Sequence, residues 1–189
     1  MNRYHLDILS SPRWAAMLER DLLPWITSVA ELGDDVIEIG PGPGLTTDLL
    51  RRNAARVTAV EIDPVLAAAL AARLAGTEVE VVHGDAAATG LTADRFSAAA
   101  CFGVLHHVGS AITQDNIFRE LLRVLHPGGV LLGSDSYDDD RVRAAHVDDL
   151  FVPLDPSTLP GRLAGLGFTD VTIDHGEYDF RFHARRPAR

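Results

Sequence analysis

The stretch VIEIGPGPG, Val36 to Gly44, constrains the fold of this chain more than any other. An apolar run ends in three glycines on alternate positions, Gly40, Gly42 and Gly44, with prolines in both gaps. A strand, a glycine turn and a helix beginning near Leu45 put backbone N–H groups at a helix N-terminus, on the edge where open α/β sheets receive ligands. A dinucleotide would require donors for its pyrophosphate and a third glycine in the G-x-G-x-x-G pattern. Leu45 stands in that third place, and Pro41 and Pro43 each remove a donor. The turn therefore suits a ligand with flat or carbon-rich surface and no phosphate bridge.

Further short apolar runs follow: RVTAVEI, EVEVVHG, FSAAACF, GVLLGSDS and FTDVTI, most of them separated by segments of helical character. This alternation predicts an α/β fold, a Rossmann-like sheet of seven mainly parallel strands with helices on both faces. The end of the chain reads as an antiparallel hairpin turning near His175 to Glu177, and the closing ARRPAR as a solvated tail. Pro12 to Leu32 reads as two helices, with Ser11 as a cap and Pro24 restarting the chain. Asp63 is a natural N-cap before Pro64, and Leu66, Leu70 and Leu74 recur at core spacing. In TQDNIFRELLRVL, Ile117, Leu121 and Leu125 form one stripe, and HPGG ends the helix. One domain over 1–189 is expected, with a helical cap at 1–33 and a short acidic lid at 136–155.

With 47% hydrophobic residues the chain can bury a substantial core, and a formal charge of −10 opposes nonspecific attraction to nucleic acid or anionic lipid. The first residues lack the layout of a signal peptide, and no apolar run approaches the roughly 18 to 20 residues of a membrane span. A soluble, cytoplasmic chain is expected. The sole cysteine, Cys101, sits in an apolar run and reads as a buried structural thiol. The cluster Asp135, Asp138, Asp139, Asp140, His146, Asp148 and Asp149 matches no calcium-loop spacing, so no metal is expected.

Two acids narrow the ligand. Glu61 ends the second strand about 20 residues beyond Gly40, where a carboxylate can bind both hydroxyls of a ribose. Asp85, in HGD after the third strand, reaches the same edge and can accept from an adenine amine. Glu38 adds negative charge near the turn, suited to ammonium or sulfonium groups. S-adenosylmethionine carries both.

On EIGPGPG, VEID, HGDA and LLRVLHPGG, in that order, the chain resembles the class I S-adenosylmethionine-dependent methyltransferases from about Val36 to Ser136. The resemblance implies that Gly40, Pro41, Gly42 and Gly44 cradle the methionine portion. It further implies that Glu61 holds the ribose with Ile62 beside it among the cofactor-binding residues, that Asp85 and Ala86 contact adenine, and that Phe102 and Gly103 line the methionine end. The first half is also similar to the ribosomal RNA adenine dimethyltransferases. Those carry an Asn-Leu-Pro-Tyr type motif after the fourth strand, where this chain has CFGVLHHV. FGVLHHV and LLRVLHPGG instead resemble the branch acting on small molecules, so the expected partner is a small-molecule acceptor, with neither nucleic acid nor membrane. A noncatalytic cofactor-binding protein is the other alternative. His106 and His107 stand where an imidazole could act as base or orient the acceptor. Tyr4 and His5 lie in a segment that folds over the cofactor in relatives, and the shortness of the lid leaves a homodimer open as the other way to cover the acceptor.

Overall fold

The computed structural model describes residues 3–188, with side chains from His5 onward. Seven strands form one sheet: β1 (Asp35–Ile39), β2 (Arg56–Glu61), β3 (Val79–His83), β4 (Phe96–Phe102), β5 (Leu125–Ser136), β6 (Thr169–His175) and β7 (Asp179–Arg185). Their order is β3-β2-β1-β4-β5-β7-β6. The first five run parallel, and β7 inserts antiparallel between β5 and β6. This is the sheet the alternating runs predict, hairpin included.

Period-two alternation divides the strands between two cores. Ile37, Ile39, Ala99, Cys101 and Leu131 face one side, where Ile117, Phe118 and Leu121 of α6 (Ala111–Val124) and Leu159 and Leu163 of α8 (Leu159–Leu166) cover them. Val36, Ala98, Ala100, Val130 and Leu132 face the other, under Leu18, Leu22, Ile26, Leu49 and Leu50. Cys101 is fully buried, and burial pushes its thiol well above the usual range, as a structural cysteine requires. Among the described residues no helix is long and apolar enough to cross a membrane.

Three local outcomes depart from the sequence reading. After α1 (Arg3–Leu9), the chain from Pro12 to Val29 is one continuous helical run: α2 (Pro12–Met17), a π turn (Leu18–Leu22) and α3 (Leu23–Val29). Pro24 does not restart the chain, because the wide turn before it absorbs the missing N–H and the ring. The cap at Ser11 is as expected, its Oγ accepting from the Trp14 N–H. HPGG ends α6 but belongs to the next strand, as a bulge that shifts register between the Phe96↔Leu125 and Ala98↔Val130 pairs. The basic tail is not merely solvated: Arg186 donates to the Leu122, Arg123 and Leu125 carbonyls, the orphan acceptors at the end of α6.

The N-terminal helices are tied to the hairpin. Trp25 Nε1 donates to Asp174 (2.8 Å) and Arg181 to the Asp21 carbonyl (2.8 Å). Asp63 caps α5 (Pro64–Arg73) as expected, accepting from the Val65 and Leu66 N–H groups. The acidic segment after β5 forms one short helix, α7 (Asp140–Ala145), capped by Asp139.

Candidate functional site

Strand order reverses between β1 and β4, and the carboxyl ends of β1, β2 and β4 open a crevice there. Gly40, Gly42 and Gly44 all have positive φ, +62°, +53° and +86°. A side chain at Gly40 would collide with Val104, whose Cγ2 lies 2.2 Å from an ideal Cβ position, and one at Gly44 with Leu70. The turn leads into α4 (Leu45–Leu50).

Every backbone donor of the turn is used within the protein. Gly40 N–H donates to the Val60 carbonyl (2.9 Å), Gly42 to Glu61 Oε2 (3.0 Å) and Gly44 to the Pro41 carbonyl (2.9 Å), while Pro41 and Pro43 have none. From 40 to 44 nothing is left to donate to a phosphate. Arg73, which sequence reasoning missed, clamps the turn from α5 by donating to the Gly44 carbonyl (3.0 Å) and to Asp48 (2.6 Å).

Glu61 is buried at the end of β2, its Oε1 accepting from the Asp63 N–H (3.0 Å) and its Oε2 from Gly42. Each oxygen keeps a lone pair for a hydroxyl, and the carboxylate is fixed before any ligand arrives. Beside it, Ile62 is 68% exposed, an apolar face with nothing packed over it. Asp85 is exposed after β3, with one oxygen accepting from the Ala87 N–H (2.8 Å), and Ala86 is half-buried. Gly103 turns the chain out of β4 at φ +63°, and Phe102 is half-buried beside it.

Glu38 differs from expectation. Its carboxyl is buried beneath the turn and accepts from the Thr46 and Thr47 hydroxyls, the latter at 2.6 Å. Burial pushes it up to about 7 against those two donors. It ties β1 to α4 and is only partly charged near neutrality, so it contributes less negative charge to the crevice than the sequence suggests.

The histidines lie past β4, in a 3-10 turn (Leu105–His107). His106 is buried, its Nδ1 2.5 Å from Asp135 Oδ1, and Asp135 also accepts from the His106 and Ser136 N–H groups. The carboxylate accepts a hydrogen bond from Nδ1–H, which leaves the lone pair on Nε2. His107 Nδ1 meets the Leu150 carbonyl at 3.1 Å, and burial with the neighbouring His106 lowers its pKa to about 4. His5 and His146 complete a cluster, with ring centroids 4.3 Å apart; burial, then His146, lowers His5. Asp135 was read from sequence only as part of an acidic run, and His5 and His146 reach His107 only through the tertiary fold. The side chain of Tyr4 lies outside the described residues.

Comparison with known proteins follows the same region. The methyltransferase domain family matches residues 37–133. Among solved structures, the PH0226 protein of Pyrococcus horikoshii superposes with TM-score 0.78 at 18% identity, covering 94% of this chain and 93% of that one. An S-adenosylmethionine-dependent methyltransferase of Archaeoglobus fulgidus gives 0.77 at 16%, covering 97% and 100%. At these identities the likeness is one of fold. Among curated relatives, ribosomal RNA small subunit methyltransferase A of Deinococcus radiodurans is 50% identical over 54 residues, 29% of this chain and 18% of that protein. The probable homologue in Thermococcus onnurineus is 45% identical over 88 residues, 46% and 32%. The matches thus span at most about a third of those relatives' length. The family match is the broader one: it runs from the first strand through the glycine turn to the fifth strand, over just over half of the 189 residues, and on that footing the chain belongs to the methyltransferase domain family.

Proposed function

We propose that this chain transfers a methyl group from S-adenosylmethionine to a nucleophilic atom of a small molecule. The observation that carries the reading is the glycine turn with no free donor beside a pre-set Glu61 carboxylate. That pairing favours a ribose ligand without phosphates over a dinucleotide. The residues fit the cofactor: Glu61 would hold the ribose hydroxyls, Ile62 and Ala86 the faces of the adenine, Asp85 its amine, and Gly40 to Gly44 with Phe102 and Gly103 the methionine portion. When bound, S-adenosylmethionine supplies a methyl group on a sulfonium, an electrophile with a neutral leaving group.

The protein's own contribution is then position and a proton acceptor. Holding an acceptor in line can supply much of the acceleration. His106 Nε2, given its lone pair by Asp135, is the atom we assign to take the acceptor's proton, and His107 lines the same wall without carrying charge. A net charge of −10 and a lid of one short helix support a small acceptor. Thermal shift tests the cofactor: S-adenosylhomocysteine should raise the melting temperature where NAD does not, by an amount equivalent to roughly 2.7 kcal/mol at a hundredfold excess over Kd. Stabilisation by NAD alone would overturn the reading. Transfer of labelled methyl into a metabolite extract tests catalysis, and binding without transfer would leave a cofactor-binding protein.

The second reading is methylation of ribosomal RNA, favoured by the local identity to small subunit methyltransferase A. Label entering purified small-subunit RNA would establish it.

A further inference from the structure

We propose that His5, His107 and His146 bind one divalent transition-metal ion of the zinc class. Each residue offers a ring nitrogen, and the three nitrogens lie within 4.8 Å of one another. They come from α1, the turn after β4 and the residue following α7, three segments whose histidine rings meet with centroids 4.3–5.7 Å apart.

The tautomers favour ligation. His146 is 8% exposed, and its Nδ1 lies 2.6 Å from the Val142 carbonyl, so Nδ1–H donates there and Nε2 carries the lone pair. That Nε2 is buried with no hydrogen-bond partner, an arrangement that costs free energy unless something occupies the lone pair. His107 repeats the pattern, its Nδ1 held by the Leu150 carbonyl. Backbone carbonyls on the second ring nitrogen are how metal-binding imidazoles are usually oriented. Asp149 adds a carboxylate, with Oδ2 3.4 Å from His5 Nδ1 and Oδ1 3.8 Å from His107 Nδ1, which offsets the charge of an ion.

The donor set selects the ion. Three imidazoles suit zinc, copper, nickel or iron over magnesium or calcium, which prefer oxygen. Tetrahedral zinc with bonds of about 2.0–2.1 Å places its nitrogens roughly 3.4 Å apart, so the rings draw together by about an ångström through side-chain rotation. Three protein ligands would leave a fourth position for water or another small ligand. Of the other acids of the lid, Asp138 and Asp139 are not part of the site: they pair with Arg143 and Arg141. Sequence spacing could not suggest it, since its members are separated by about a hundred and about forty residues.

Chelator-treated full-length protein titrated with Co²⁺ tests the site. One equivalent should bind with the visible absorption of low-coordinate cobalt, and Zn²⁺ should displace it and raise the melting temperature. His146→Ala and His107→Ala should each weaken Co²⁺ binding at least tenfold, whereas His126→Ala, at the other end of β5, should not. If His146→Ala fails to fold, His107→Ala decides. Wild type without stoichiometric Co²⁺, or a folded ligand variant that binds it as wild type does, overturns the proposal. The same samples are titrated with S-adenosylhomocysteine: cobalt binding without it leaves the metal site standing while removing the proposed cofactor, and the reverse does the opposite.

Discussion

Glu38 shows how one buried acid sets a pH dependence for the fold. Desolvation raises its folded-state pKa from 4.5 to about 7, so the protonated form is the one the fold prefers. Its stabilising contribution is complete below about pH 4.5 and is lost as pH rises through 7, a change on the order of 3 kcal/mol. The wild type should therefore lose melting temperature between pH 5 and 8, and Glu38→Gln, neutral throughout, should reduce that fall, as followed by circular dichroism. An equal fall in both proteins would show that Glu38 titrates normally. Glu61 should behave differently, because its oxygens serve two backbone donors. Glu61→Ala leaves both N–H groups unpaired and should cost about 1–3 kcal/mol in urea unfolding, together with a tenfold or greater loss of S-adenosylhomocysteine affinity by calorimetry. For His106 the decisive partner is Asp135. Asp135→Asn should lower methyl transfer by two orders of magnitude or more while leaving S-adenosylhomocysteine affinity near wild type, since the amide no longer fixes the tautomer. These roles were unequally legible in the sequence. Glu61 was placed by its distance from Gly40, but nothing in the string shows that Glu38 lies under the turn or that Asp135 reaches His106.

Among the elements, strands were the most readable because apolar side chains repeat along them, and α5 because Asp63 and Pro64 mark its start. What escaped was settled across the chain. The π turn before Pro24 is fixed by Leu18, Leu22 and Ile26 all having to reach the same core face, a demand that outweighs the local preference to break at proline. Arg186 caps α6 from more than sixty residues away. The pairing of β5 with β7 carries its own test. Gly133 faces Phe182 in register, and an ideal Cβ there would lie 2.1 Å from the ring. Gly133→Ala has no flexible neighbour to displace, because Phe182 is itself fully buried among Phe118 and Phe180. The substitution should destabilise by roughly 1–3 kcal/mol in denaturant unfolding, as overpacked cores do. Gly103→Ala, with open space around its Cβ, would be strained only by its positive φ and gives the comparison.

At the scale of the whole molecule, charge supports the small-molecule acceptor proposed above over the RNA acceptor that local identity sets beside it. An RNA-directed enzyme gains affinity by neutralising phosphates with a basic face, and that gain is steeply salt-dependent. This chain carries 17 basic against 27 acidic residues. Many of its arginines are also committed internally: Arg95 to Asp35, Arg73 to Asp48, Arg123 to Glu120, Arg162 to Asp115, and Arg186 to the end of α6. A phosphate backbone would have to break those pairs or bind beside their acids, and both options cost free energy that an exposed lysine patch would not. Filter binding to small-subunit ribosomal RNA near physiological salt should accordingly give no complex tighter than the roughly 10⁻⁴–10⁻⁶ M of nonspecific association. With labelled cofactor in a mixture of that RNA and a metabolite extract, label should appear in the small-molecule fraction. A tight RNA complex whose affinity falls by orders of magnitude between 50 and 200 mM salt, with label in the RNA, would reverse the assignment. The segment shared with the ribosomal RNA enzymes would then describe the acceptor as well as the cofactor cleft.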